Sequence, residues 1–285
     1  MRVKTSIRFY NNVPVRSVYD EDCNSWLYAA VDLIESLTNS KCPRKYWYAL
    51  KKRHPKMSTF CRQLKLVSRD GKAYLTDVIN DDGINELLVI ISRNNDESIV
   101  NWLKGLNSPL DEKSKQKAYE LYDNGLFNDI EIGTTKGLQQ IHAYIFGGLY
   151  DFAGKIRTKT IMKDDFVFCD ARYLSQTLKN IDSMPQSNLE EIVDKYVEMN
   201  IAHPFMEGNG RSTRIWLDQI LKSNLNKCID WSKINKKDYL NAMKKSPLDP
   251  KPIYKLIKSS LTDKTSDREL FMKGIDYSYY YEEID

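Results

Sequence analysis

Residues 203–214 read HPFMEGNGRSTR. Gly208, Asn209 and Gly210 let the backbone turn so that successive N–H groups point outward at the start of a following helix, an arrangement that binds anions. Arg211 and Arg214 are three apart, so both can project from the first turn of that helix toward one ligand, and guanidinium forks suit phosphate oxygens. Glu207, just before the loop, is the carboxylate close enough to hold Mg²⁺ against those phosphates. His203 has an ordinary pKa near neutrality and can take a proton from an incoming hydroxyl. Together these groups describe a cradle for a nucleoside triphosphate with a base beside it. Phe205 is read as the loop's anchor in a core. Singly, each piece has a plainer explanation: a lone histidine is more often structural, Gly-Asn-Gly is often a simple turn, and an arginine pair usually faces solvent. Jointly, nine specified positions in one short run, at about one in twenty each, make coincidence negligible.

Two amphipathic segments must position this loop. SNLEEIVDKYVEMNIAH opens with Ser187 and Glu190 at capping-box spacing and places Leu189, Ile192, Val193, Tyr196, Val197 and Asn200 near one face, which predicts a helix pointing at His203. RSTRIWLDQILKSN continues with Ile215, Trp216, Ile220 and Leu221 at helical spacing. Between residues 110 and 285 the exception is GKIRTKTIMKDDFVFCD, whose β-branched and aromatic residues around Asp164-Asp165 predict a short hairpin. His142, on the helical LQQIHAYIF stretch, reads as a structural histidine rather than a second base.

The N-terminal part differs in charge and periodicity. Residues 1–108 hold 17 Lys+Arg against 12 Asp+Glu, whereas the rest holds 26 against 27, so the net charge of +4 comes from the first segment. Positions 41–72 carry eleven basic residues and one acid, Asp70, with Tyr46, Trp47 and Tyr48 interleaved. SIRFYNNVPVRSVYD and SWLYAAVDLI alternate as strands do around a turn-rich DEDCNS. AAVDLIESLT and PRKYWYALKKRH then read as helices, the second starting at Pro43, and KLVSRDGKAYLTDV reads as a hairpin turning at Asp70-Gly71. The predicted fold class is α+β overall: a small α+β domain over 1–105, a linker in GLNSPLDEKSKQK, and a mainly α-helical domain with a β-hairpin beyond it. Composition, 41% hydrophobic and 29% charged, describes a soluble globular chain. The longest aliphatic run, Leu87 to Ile91, is too short to span a bilayer, the N-terminus lacks the apolar core of a signal peptide, and five scattered cysteines contain no C-x-x-C pair. A cytoplasmic location is expected, with no membrane association.

At residues 203–214 the sequence resembles the Fic family, whose signature H-P-F-x-[D/E]-G-N-G-R-x-x-R is matched at every specified position, and the resemblance extends across most of 110–285. It implies transfer of AMP from ATP to a hydroxyl side chain of another protein. His203 would be the general base and Glu207 the Mg²⁺ ligand. The Gly208–Gly210 backbone with Asn209 would hold the α- and β-phosphates, Arg211 the β-phosphate and Arg214 the γ-phosphate. The related Doc kinases have Lys where this chain has Gly210, which favours nucleotidyl over phosphate transfer. Thr158, Lys159, Thr160, Ile161 and Met162 fall in the segment resembling the Fic flap, which pairs with an extended target segment by strand addition. The resemblance makes the ATPase subunit of a type II topoisomerase the first expected target; some Fic proteins are regulated by self-association, which leaves a homo-oligomer open here.

The C-terminal DYSYYYEEID resembles the inhibitory helix [S/T]-x-x-x-E-[G/N] of Fic proteins, with Glu283 in place of the final Gly or Asn. The expectation is an inhibitory helix over 274–285, after a catalytic domain over 106–273. In it Glu282 reaches Arg214, Ser278 opens the motif, and tyrosines pack on the Fic core. Tyr279, Tyr280 and Tyr281 are hydroxyl acceptors for self-modification if that helix undocks. The first hundred residues resemble the Bro-N domains of phage antirepressors, which implies DNA binding through Arg44, Lys45, Lys51, Lys52, Arg53, Lys56, Arg62 and Lys65. Two alternatives stay open: a DNA-binding regulator whose Fic part senses a nucleotide or docks a protein, and a Fic enzyme using another nucleotide.

Overall fold

A computed structural model describes residues 4–10, 13–20, 25–68, 72–92, 99, 109–163 and 166–282. The expected turns at Asp70-Gly71 and Asp164-Asp165, the linker around Gly105, and Glu283 lie outside the described residues. The chain divides into two compact units, Met1–Ser108 and Pro109–Asp285.

The first unit is a five-stranded antiparallel sheet with helices packed on it. Its strands β1 (Lys4–Tyr10), β2 (Val13–Asp20) and β3 (Ser25–Ala29) lead into α1 (Ala30–Thr38) and α2 (Pro43–Arg53). Strands β4 (Cys61–Val67) and β5 (Ala73–Ile79) precede α3 (Asp81–Ile90), and the sheet order is β1-β2-β3-β5-β4. One sheet face buries Leu33, Ile34, Trp47, Met57, Ile79 and Leu87, and a smaller cluster forms around Val18, Leu66 and Val78. Helix α2 buries only Trp47 and Leu50. It is held to the sheet through Asp77, which accepts from Trp47 Nε1 at 2.7 Å and from the Lys51 ammonium.

The second unit is mainly helical. In order it contains α4 (Pro109–Asp123), α5 (Thr135–Phe146), the strand pair β6 (Met162–Lys163) and β7 (Phe166–Val167), α6 (Ala171–Ser183), α7 (Leu189–Ala202) and α8 (Asn209–Leu225). Strand β8 (Cys228–Ile229), α9 (Lys236–Lys245), α10 (Lys251–Ser260), β9 (Leu261–Thr262) and α11 (Arg268–Tyr280) complete it, with β8 paired to β9. Its core includes Phe146, Tyr196, Phe205, Trp216, Ile220 and Trp231. No helix among the described residues is long and apolar enough to cross a membrane.

Three sequence expectations need correction. Helix α7 is capped one residue later than the capping-box spacing suggests: Asn188 accepts from Glu191 N at 3.1 Å, while Glu191 reaches back to Ser187 N at 2.6 Å. Asn is as strong an N-cap as Ser, and the Glu191 carboxylate closing on Ser187 N completes the cap one position on. The hairpin is shorter than its β-propensity implies, with two residues per strand; Thr158, Lys159, Thr160 and Ile161 lie outside it. The C-terminal helix starts at Arg268, capped by the Asp267 side chain on Glu269 N and Leu270 N, and it ends at Tyr280. Glu282 therefore projects from the turn after the helix, its N–H on Tyr279 O at 3.0 Å.

Candidate active site

The signature loop is the junction between α7 and α8. His203 caps α7 in a left-handed conformation, φ 48°, which turns the chain sharply out of the helix. Its Nδ1 lies 3.2 Å from Asn200 O, so the ring donates there and leaves Nε2 as the lone-pair nitrogen. Phe168 stacks on the imidazole at 3.7 Å between centroids. Burial pushes the His203 pKa down to about 4, so the ring is a neutral base at physiological pH.

Gly208 begins the turn at φ +78°, and a Cβ there would come within 2.3 Å of the Phe146 ring, so both conformation and space require glycine. The first helical bond of α8 runs from Ser212 N to Gly208 O. That leaves the N–H groups of Asn209, Gly210 and Arg211 without intrahelical acceptors and facing the loop. The Asn209 side chain does not join them. Both its ends are taken by Phe205, Nδ2 donating to the carbonyl and Oδ1 accepting from the N–H, each at 2.8 Å. The Asn209 side chain thus shapes the loop, and its backbone N–H is what it offers a ligand.

The two arginines differ in their partners. Arg211 donates to Asp111 on α4 at 2.6 Å and to Glu207 at 2.9 Å, with its guanidinium over the Phe146 and Tyr279 rings. Arg214 is buried. Its Nε donates to Ser278 Oγ and Nη2 to Ser278 O, both at 2.8 Å, while Nη2 also meets Glu282 Oε1 at 2.5 Å. Nη1 reaches Tyr239 OH at 3.1 Å, and the guanidinium faces the rings of Tyr239 and Tyr281. The Glu282 carboxylate lies over Gly210 closely enough that a Cβ there would be 2.1 Å from Oε1. A carboxylate of the chain itself thus lies at the helix start where an anion is favoured.

The tyrosines hold this segment in place. Tyr279 OH donates to Ser114 Oγ at 2.7 Å, and Tyr281 OH lies 3.0 and 2.8 Å from the carbonyls of Trp231 and Ile234. Tyr281 also stacks on Tyr239 at 4.8 Å, and Lys236 lies over the Tyr280 ring. All three rings are buried. In this state none is an available acceptor for self-modification, so that expectation applies only to an undocked α11. One turn earlier, Asp276 pairs with Lys115 at 2.6 Å and accepts from Tyr119 OH, both from α4.

Several site-building residues carried no signal in the sequence. Asp111 meets Arg211, and Lys115 meets Asp276, only in the tertiary fold, and Arg157 looks like one more charge in a basic stretch. His142 could be read from its helix: Nε2 donates to Glu207 O at 2.8 Å, Nδ1 accepts from Gly154 N at 2.9 Å, and the ring stacks on Phe205. It is a structural histidine. Glu207 is more than half exposed; Oε1 takes Arg211 and Gly208 N. A metal site built from three or more His, Cys, Asp or Glu is absent among the described residues. A single outward carboxylate fits an ion that brings phosphate and water oxygens as its other ligands.

Residues 133–221 match the Fic/DOC family. This segment contains the signature loop, the helix that ends at His203, and the hairpin. The chain is similar to protein adenylyltransferase VbhT of Bartonella schoenbuchensis, 28% identical over 145 residues, covering 47% of this chain and 30% of VbhT. It is also similar to the probable protein adenylyltransferase Fic of Escherichia coli, 25% identical over 179 residues, covering 58% of this chain and 88% of the relative. The chain therefore spans about a third of VbhT's length. Among solved structures it resembles the N-terminal Fic domain of a Bartonella effector protein from Bartonella sp. AR 15-3. That resemblance has 18% identity and a TM-score of 0.47, and it covers 54% of this chain and 82% of that one. BepC of Bartonella tribocorum, solved with bound AMPPNP, aligns at 17% identity and a TM-score of 0.44, covering 54% and 87%. Residues 133–221 thus match the Fic/DOC family, and the relatives similar to this chain at low identity are named as protein adenylyltransferases.

Proposed function

We propose that the second unit is a protein adenylyltransferase restrained by its own C-terminal segment. The observation that carries this reading is the Glu282 carboxylate against Arg214 and Gly210: it marks an anion cradle beside a base and fills it. ATP would place its phosphates on the N–H groups of Gly208–Gly210, the β-phosphate toward Arg211 and the γ-phosphate toward Arg214. The γ-phosphate and Glu282 then compete for one guanidinium. Mg²⁺ held by Glu207 and the phosphates would neutralise charge on the leaving group.

His203 Nε2 takes the proton of a target hydroxyl. The hydroxyl oxygen forms a bond to the α-phosphorus as the bond to the β-phosphate bridging oxygen breaks, and pyrophosphate leaves with that electron pair. Positioning and charge stabilisation supply most of the acceleration. Gly210, having no ammonium to offer, supports nucleotidyl over phosphate transfer. The flap residues Thr158–Met162 are solvent-facing or half-buried, which suits docking of an extended protein segment. The ATPase subunit of a type II topoisomerase is the first target to try.

ATP labelled at the α or γ position, with host lysate, tests this. Label should pass to protein from α and not γ, rising when Glu282→Gly frees Arg214. Transfer from γ would make the chain a kinase; no transfer from Glu282→Gly would favour the nucleotide-sensing alternative.

A second reading concerns the first unit. Of the basic residues expected to bind DNA, Lys51, Lys56 and Arg62 are paired with Asp77, Glu86 and Asp20. Arg44, Lys45, Lys52, Arg53 and Lys65 are exposed without an ion pair among the described residues, beside exposed Tyr46 and Tyr48. That reduced patch supports phosphate-backbone binding.

A further inference from the structure

Arg157 is buried, and every hydrogen bond its side chain donates ends on a main-chain carbonyl. Nε donates to His203 O at 2.8 Å and Nη1 to Lys159 O at 2.6 Å. Nη2 donates to Cys169 O at 2.5 Å and Ala202 O at 3.0 Å. Its own N–H donates to Pro204 O at 2.8 Å. These acceptors belong to three separate segments: the stretch entering the hairpin, the stretch leaving it, and the end of α7 with the base. Burying a cation without a carboxylate partner is expensive, so a simple structural filler is a poor account of it. Two of the carbonyls, Ala202 O and His203 O, close the C-terminus of α7, where a positive charge is favoured. The surrounding contacts repeat the connection: Cys169 N donates to Ile201 O at 3.1 Å, and Phe168 N to Ile161 O at 3.2 Å. Phe168 then stacks on His203 itself.

We infer that Arg157 is a positioning residue that fixes the register between the hairpin and His203, so that a protein segment docked on the hairpin presents its hydroxyl to Nε2. The inference rests on the adenylyl-transfer reading. Among the described residues, no other side chain donates to both flanks of the hairpin and to His203. A lysine has one donor head and cannot span these carbonyls as a guanidinium fork does. A methionine has no donor and leaves four carbonyls to find other partners.

The test uses the full chain carrying Glu282→Gly, with Arg157→Lys and Arg157→Met added separately. Three quantities are measured: ATP affinity by calorimetry, AMP transfer to protein, and AMP release to water. Because a displacement of about 1 Å costs about a hundredfold in rate, Arg157→Lys should lower kcat for transfer to protein about a hundredfold. ATP affinity should stay within about twofold, AMP release to water should fall much less, and Arg157→Met should show the same split more strongly. Equal loss of transfer and release, or parallel loss of ATP binding and melting temperature, would overturn the register role. Hydrogen exchange gives a readout that needs no catalysis: both variants should speed exchange in residues 158–163 and in 201–205 together. Faster exchange in one segment alone would sink the coupling. If the Glu282→Gly chain with Arg157 intact transfers no AMP, the adenylyl-transfer reading fails, and the exchange result still decides whether Arg157 ties the two segments.

Discussion

His203 is half-buried beneath Phe168, and desolvation pushes its pKa down from 6.5 to about 4. The sign is that of a base kept neutral: protonation is disfavoured until the medium becomes acidic, so the lone pair on Nε2 persists through the neutral range. In a chain freed by Glu282→Gly, kcat/KM for AMP transfer should hold as pH falls through 6.5 and decline toward pH 4. The removed carboxylate favoured the protonated ring, so its loss moves this limb no higher. A limb near 6.5 in a pH–rate profile would show that His203 titrates as an exposed imidazole and that the stacked geometry does not describe the working enzyme. At this scale the sequence was informative where function is local. His203, Glu207, Gly208, Gly210, Arg211 and Arg214 are neighbours in the chain, so their types and spacing are enough. Asn209 is the exception, because no spacing reveals that both ends of its amide are committed to Phe205.

Helix α11 owes its order to α4 as much as to the arginine it covers. Asp276 with Lys115 and Tyr119, Tyr279 with Ser114, and Arg268 with Asp123 all cross between the two helices. A thirteen-residue helix is marginal alone, so these contacts decide whether Glu282 is delivered. Asp276→Ala leaves Lys115 without its carboxylate in a buried place, a loss of about 3 kcal/mol. It should raise AMP transfer toward the Glu282→Gly level without altering any group in the cradle, with a lower melting temperature. A falling melting temperature with transfer still at the wild-type level would show that α11 stays docked without this pair. None of these contacts could be read from the sequence. The periodicity of α11 and its tyrosines signalled a packed helix, but Asp276 and Lys115 are far apart in the chain and each looks like an ordinary surface charge. The helix start at Asp267 is legible in retrospect, since Asp is a strong N-cap; the aromatic cluster drew the expected boundary toward the end instead.

At the scale of the whole molecule, the two units carry different kinds of signal. The helical unit announces itself through one dense motif, whereas the first unit is legible only as alternating strands and a basic block, and pairing with Asp20, Asp77 and Glu86 removes part of that block. Full-length chain should bind a fluorescent DNA duplex with an affinity that falls steeply with salt. Lys45→Glu combined with Lys52→Glu should weaken it and reduce the salt slope by about 2; an unchanged slope would move any DNA contact away from α2. The contact at Gly210 has a consequence for how such a protein can change by mutation. A side chain at Gly210 would meet the Glu282 carboxylate and, on the proposed reading, crowd the phosphates alike, so the proposed restraint could not be relieved there while activity is kept. Alleles that free the enzyme should therefore accumulate at Glu282, Ser278 or the α4–α11 contacts, and selection for hyperactive variants should leave the signature loop untouched.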